Sequence, residues 1–235
     1  MKARRSSADI APRRRRPDES VRQRSAKPSL RDTAYEAIKR RIMTCVFRPG
    51  QAINELQVAA LIGVGRTPVH QALDRLRLEN MVEVIPRKGV IVKPIDLHEV
   101  LQMVEVRLIN ETHCARLAAE RADENHIKRL GEIFARAQKA ISDRNVREMM
   151  VLDGNFHGVL ASAARNDELA QILRKLNERS LRFWFISFTS PDHHNSFQEQ
   201  HSAILDAVQR RDPAAAAAAM QAHIEAFRAS VTQRL

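Results

Sequence analysis

From Glu55 to Asn80 the apolar positions fall into two short runs of helical spacing, separated at Gly63-Val64-Gly65. The second run begins near Arg66 with Pro68 in its first turn, where a missing backbone N–H costs nothing. Along it Val69, Ala72, Leu73 and Leu76 share one face, and Arg66, Thr67, His70 and Gln71 share the other, toward the N-terminal end. This is the pattern of a helix-turn-helix, whose second helix lays its N-terminal residues against base edges in a major groove.

The same reading extends in both directions. Leu30, Ala34, Ala37, Ile38 and Ile42 make an amphipathic stripe over 30–43, closed by the turn Phe47-Arg48-Pro49-Gly50. After Asn80, the runs 81–85 and 90–92 flank Pro86-Arg87-Lys88-Gly89, predicting a two-stranded hairpin with a basic tip. A helix-turn-helix followed by such a hairpin is a winged helix, with Arg87, Lys88 and Gly89 at the tip of the wing. Asp96-Leu97-His98-Glu99 then opens a new helix as a D-x-x-E capping box. Beyond it no strand pattern occurs. Helices are predicted at 97–121, 124–141, 146–163, 167–187, 196–210 and 213–232, with Asp123, Asn166 and Asp212 as N-caps. The loop Thr189-Ser190-Pro191-Asp192 separates the fourth of these from the fifth, and the tract Ala214–Ala219 is most simply a helix wall. The expected fold is mainly α: a basic arm over 1–28, a winged helix-turn-helix over 29–95 and an all-helical bundle over 96–235.

Charge changes the picture by its distribution. Residues 1–95 carry 21 Lys and Arg against 9 Asp and Glu, whereas residues 96–235 carry 18 against 19. The positive excess lies with the winged helix, which suggests a polyanion for the first part and a different task for the second. The Arg-, Ser- and Pro-rich arm lacks apolar periodicity and reads equally as a non-specific phosphate-binding segment or a solvated tail. Aromatics make up only 4% of the chain and Gly numbers 7, in keeping with a helical protein. Cys45 and Cys114 are far apart, so free thiols in a reducing cytoplasm are expected. No apolar run approaches the ~18 residues of a spanning helix, and no h-region follows the Arg-rich start.

Candidate chemistry in the helical half rests on four residues. Asp153 and His157 are four apart on one predicted helix and project from the same face. His201 and His223 lie in the first halves of the last two helices, each among apolar neighbours. One carboxylate and three imidazoles, if they converge, make a first-row transition-metal site of zinc- or nickel-like character. Spacing alone leaves this open against histidines that are merely packed. Arg107 is a second candidate, suited to a bidentate grip on a carboxylate ligand or else to a surface ion pair with Glu105 or Glu111. His98, His113, His126, His193 and His194 follow no such pattern and are expected at the surface.

Taken together, these residues resemble the GntR family of bacterial transcription regulators, in the branch with an all-helical FCD effector domain. The resemblance spans all but residues 1–28. It is carried by Arg48-Pro49-Gly50, Leu61-Ile62-Gly63-Val64, Arg66-Thr67-Pro68-Val69, Ala72-Leu73 and Leu76, and by the wing residues 86–92. In the helical half it is carried by Glu105-x-Arg107-x-x-x-Glu111, Asp153-x-x-Phe156-His157, His201-x-x-Ile204-x-x-Ala207 and Met220-x-x-His223-Ile224. The resemblance implies a cytoplasmic homodimer on an inverted-repeat operator. It further implies a divalent metal (zinc or nickel) held by Asp153, His157, His201 and His223, and a small organic acid held with the help of Arg107. The chain departs from the family at Gly65 (usually Ser), at His70-Gln71 (usually Arg-Glu), at Asn110 (usually apolar) and at Gln200 (commonly Glu). His70 replaces a permanent cation by one present only near or below pH ~6.5, so an operator affinity that falls between about pH 6 and 8 is expected if it contacts phosphate. Two other readings remain at this point: a metalloenzyme using an open metal position, and an architectural DNA-binding protein driven by the arm.

Overall fold

The computed structural model describes residues 28–187 and 192–232, with 184–187 and 192–197 as backbone only. The basic arm and the turn at Thr189–Pro191 lie outside the described residues, as do the side chains of His193 and His194. Helix α1 (Leu30–Met43), strand β1 (Ala52–Ile53), α2 (Glu55–Ile62), α3 (Arg66–Leu78) and strands β2 (Val82–Ile85) and β3 (Gly89–Val92) form the N-terminal part. Helices α4 (Leu97–Arg121), α5 (Glu124–Ser142), α6 (Val146–Ala163), α7 (Asp167–Ser187), α8 (Asp192–Gln209) and α9 (Pro213–Thr232) follow.

The helix-turn-helix forms because each break is locally encoded. Asn54 accepts from the backbone N–H groups of Leu56 and Gln57 to start α2. Gly63 ends that helix at φ 76°, a left-handed C-cap that side-chain-bearing residues resist. Gly65 precedes α3 in extended conformation and supplies no side-chain cap. In α3, Val69, Ala72, Leu73 and Leu76 are buried, and pack with Tyr35, Ile38, Ile42, Val58, Met81 and Val92 in one apolar cluster.

Three local expectations are corrected. Leu30, placed in the α1 stripe, is 61% exposed; it sits in the first turn, before the helix meets α3, and Tyr35 fills the core instead. The wing is three-stranded, not two-stranded: β1 pairs antiparallel with β3 at Ala52↔Ile91 and Ile53↔Val90, a strand too short to leave any alternation in the sequence. The capping box at α4 is incomplete, for Asp96 accepts from His98 N while Glu99 turns to Lys93 Nζ at 2.6 Å.

In the helical half α4 runs along α9 and also meets α6, α7 and α8, while α5 covers α6 and α8. Met103, Leu130, Met149, Met150, Phe156, Leu160, Ile204, Met220, Ile224 and Phe227 are among its buried core. Ala216 is fully buried, as a helix wall requires. Asp123, Asn166 and Asp212 each accept a backbone N–H at their helix starts. Helix α8 begins at Asp192, four residues before the predicted start, because the polar run ahead of Ser196 carries no apolar period. His126 is not a free surface residue but half-buried, completing a capping box with Asp123.

Substitution at Gly63 tests the left-handed turn that ends α2. A Cβ built on Gly63 meets nothing within 4 Å, so Gly63→Ala carries only the cost of a left-handed backbone, about 1–2 kcal/mol. Urea denaturation followed by circular dichroism should show a loss in that range. No loss would mean that the turn is not held at positive φ.

Candidate metal centre and DNA-reading face

Helix α6 carries Asp153 and His157 on one face, one turn apart, and α8 and α9 bring His201 and His223 to the same point. All four are buried, Asp153 at 8% exposure and each histidine at 3%. One ligand atom from each can be chosen so that all lie within 4.8 Å of one another. His201 Nε2 is 3.1 Å from Asp153 Oδ1, and the imidazole centroids of His157, His201 and His223 are 4.7–5.7 Å apart. Phe156 seals one side, its ring edge-on to His201 at 4.8 Å.

Two imidazoles are oriented from behind. Glu111 on α4 takes His157 Nδ1 at 2.6 Å, and Gln200 Oε1 lies 2.9 Å from His223 Nδ1. His157 Nε2 then faces the cluster, 3.5 Å from Asp153 Oδ1 and without a hydrogen bond. Glu111 is in turn held by Arg107 Nε at 2.5 Å, and Arg107 Nη1 reaches Ser180 Oγ at 3.1 Å. Arg107 is only 3% exposed, so its pair with Glu111 is a buried one rather than the surface pair its spacing also allowed. Neither the anchoring role of Glu111 nor Ser180 emerged from sequence reasoning. The i, i+4 spacing of Arg107 and Glu111 and their place in the family signature were the signals available, and Ser180 carried none.

The electrostatics follow from burial set against neighbours. Burial would raise the Glu111 carboxyl, but the charges of Arg107 and His157 outweigh it and bring it to about 2. Burial also opposes the charge of Asp153, yet His157 and His201 hold it well below the usual carboxylate range. His157, which burial alone would neutralise, is raised to about 9 by Glu111 and Asp153. His223 is pushed well below the ordinary histidine value, first by burial and then by His201 and His157. A neutral imidazole, a carboxylate and a polar nitrogen without a hydrogen bond, all buried and pointing inward, fit a divalent transition metal bound through three nitrogens and one oxygen. His157 would give up its proton on binding. A cleft of about 1060 Å³ between α5, α6 and α7 reaches His157, lined in part by Gly154, Asn155, Gly158, Asn177 and Leu181.

On the N-terminal part Arg66, Thr67, His70 and Gln71 are all exposed at the start of α3, and Arg87, Lys88 and Gly89 are exposed at the wing tip. Gly89 sits at φ 80° and pairs with Ile85, which closes the tip. Sequence reasoning missed Glu55, the first residue of α2. Its carboxylate takes Arg66 Nε at 3.0 Å and His70 Nδ1 at 2.8 Å, and so holds both side chains. The hydrogen bond to Glu55 raises His70 above its ordinary value, and Asp74 at 3.7 Å adds to this. Among the described residues no helix is long and apolar enough to cross a membrane.

Comparison with known proteins agrees with both parts. Residues 30–92 match the model of the bacterial regulatory proteins of the gntR family, and residues 102–226 match that of the FCD domain. The chain is similar to the Nta operon transcriptional regulator of Aminobacter aminovorans, 32% identical over 179 residues, covering 76% of this chain and 83% of that protein. It is 27% identical over 199 residues to the HTH-type transcriptional repressor RspR of Escherichia coli K12, covering 85% and 87% of the two chains. Among solved structures, E. coli McbR/YncC superposes with a TM-score of 0.80 at 18% identity, covering 88% of this chain and 99% of that one. A putative GntR regulator from Rhodococcus sp. RHA1 gives 0.77 at 19%, over 88% and 100%; both likenesses concern the fold. The family matches remove the metalloenzyme reading. The chain belongs to the GntR family of bacterial regulatory proteins, in the branch with an FCD domain, and is a DNA-binding transcriptional regulator rather than an enzyme.

Proposed function

We propose that this regulator is a cytoplasmic homodimer whose affinity for an inverted-repeat operator is set by a small organic acid bound at a metal in the helical half. The observation that carries the reading is the buried convergence of Asp153, His157, His201 and His223, with two of the imidazoles oriented from behind. A zinc- or nickel-like cation held there would supply an electrophilic point for a carboxylate oxygen. Arg107, anchored by Glu111, supplies a buried positive charge beside it. The cleft that reaches His157 is the natural way in for the acid. The reading takes residues 29–95 as the DNA head and 96–235 as the sensing body, in keeping with two separate apolar clusters. The arm over 1–28 adds sequence-independent attraction.

On the operator, Arg66, Thr67, His70 and Gln71 face the major groove, where Gln71 can pair with adenine, and Arg87, Lys88 and Gly89 of each wing follow the backbone or minor groove. Ligand changes the affinity only to the extent that it favours one placement of the two heads over another.

The metal reading is tested by the double substitution His201→Ala and His223→Ala. Metal analysis of purified protein should fall from about one zinc or nickel per protomer to none, while operator binding by metal-stripped protein persists. Retained stoichiometric metal would refute these ligands.

Footprinting should reveal one protected palindrome upstream of the regulator's own or a neighbouring operon. Equal affinity for scrambled duplex would instead identify an architectural protein.

A third expectation concerns pH. Because Glu55 raises His70, the imidazolium persists to higher pH than an ordinary histidine would allow, and the fall in operator affinity with rising pH should be displaced upward accordingly. His70→Gln should flatten this profile and make the slope of log affinity against log salt shallower by about 0.9 for each phosphate that His70 neutralises. A wild-type profile as flat as the variant's removes His70 as a cationic contact.

A further inference from the structure

The apolar cluster of the head and that of the bundle have no residue in common. Several of the contacts that join the two parts are polar, and they concentrate on one turn of α7. Glu178 Oε2 lies 2.6 Å from Lys39 Nζ on α1. Arg182, four residues on, donates to the Lys93 carbonyl beyond β3, and its own carbonyl accepts from Cys45 Sγ at 3.7 Å. Between them Ser180 accepts from Arg107 at 3.1 Å. Residues four apart share a helix face, while the residue midway points away from it. One turn of α7 therefore offers two residues to the head and one to the buried cluster around His157.

Lys39 is itself only 8% exposed. Its ammonium also lies 3.3 Å from Glu79 Oε2 and 2.7 Å from the Tyr35 hydroxyl, which donates to the Glu79 carboxylate at 2.8 Å. Glu79 is the C-cap residue of α3, the helix that reads DNA. Arg75 closes the group, its guanidinium 3.5 Å over the Tyr35 ring and 3.4 Å from Glu79. A buried ammonium must keep its partners, and this one has a carboxylate on each side, one from the bundle and one from the recognition helix.

We propose that Lys39 and Glu178 are positioning residues for DNA binding, fixing the C-terminal end of α3 against α7, and that the Arg107–Ser180 hydrogen bond ties the same turn of α7 to the metal centre. The proposal rests on the reading of Asp153, His157, His201 and His223 as that centre. Polar contacts then run from His157 to Glu111 at 2.6 Å, to Arg107 at 2.5 Å and to Ser180 at 3.1 Å. Across α7 they resume from Glu178 to Lys39 at 2.6 Å and on to Glu79 at 3.3 Å. Such a run couples two sites only if it contains an element with two arrangements, of which occupancy favours one. Lys39 is that element: its single ammonium is shared between Glu178 and Glu79, and a shift of α7 redistributes it.

Hydrogen exchange read by mass spectrometry, on the full chain with and without zinc, tests the coupling. In the wild type, zinc should slow exchange in α6, α8 and α9 and also in α1 and the C-terminal half of α3, the latter by roughly two- to thirtyfold. Glu178→Ala and Ser180→Ala should each keep one zinc per protomer and the slowing in the bundle, and lose the slowing in the head. If Glu178→Ala does not fold, Ser180→Ala decides alone, since the hydrogen-bond partners of Ser180, namely Arg107, Met103 and Leu176, all lie in the bundle. A clamp that is only structural would raise head exchange equally with and without zinc and leave the difference between them intact; that result overturns the proposal. A wild type that binds one zinc with no response in the head overturns it while the metal centre stands. A wild type that binds neither zinc nor nickel removes both.

Discussion

Asp153, Glu111 and Arg107 are ionisable groups held inside an apolar bundle together with three imidazoles, and the helical half is arranged around the cost of keeping them there. Taking a charge out of water costs several kcal/mol unless other groups replace the lost hydration. Here the replacement is mutual: Arg107 faces Glu111, Glu111 faces His157, and Asp153 lies between His157 and His201. No single helix supplies the set. Residues of α4, α6 and α8 must all be in place before every one of these pairings is made, so the bundle's packing and its chemistry specify one another.

That dependence also explains what was legible in the sequence. The apolar period placed α3, α4, α6 and α9 within a residue or so of their observed bounds, because each buries a stripe on a neighbour. It missed the first turn of α8, where the run from Asp192 is polar, and it missed β1, where two residues leave no alternation. It could mark Asp153 and His157 as neighbours, since they share one helix. The convergence of His201 and His223 upon them is set by how three helices cross, which no spacing records. Arg107 shows the limit most clearly. Val106 and Ile109 beside it are 44% and 73% exposed while Arg107 is buried, the reverse of what hydrophobicity alone would assign. Glu111 and Gln200 act through the far nitrogens of two imidazoles, and such partners become visible only when the rings have been placed.

The head is governed by a different balance. Its core is apolar and small, and its polar chemistry lies outside, where solvent lowers the cost of change. Glu55 is the exception within that surface: a largely covered carboxylate between Arg66 and His70 that restrains both and offsets part of their charge. On the proposed operator contact, DNA would have to compete with this built-in anion for both side chains.

The residues in which this chain departs from its family on the DNA side, Gly65, His70 and Gln71, are all exposed and make no contribution to the apolar core. In evolutionary terms this surface is nearly neutral for folding, so a lineage can try new bases there one substitution at a time without first finding compensating changes in the interior. The Asp-His-His-His centre has no such latitude, since any single replacement strands a buried partner. If that centre is the sensing site proposed above, a regulator built this way can be assigned new target genes quickly while the class of signal it answers to stays fixed.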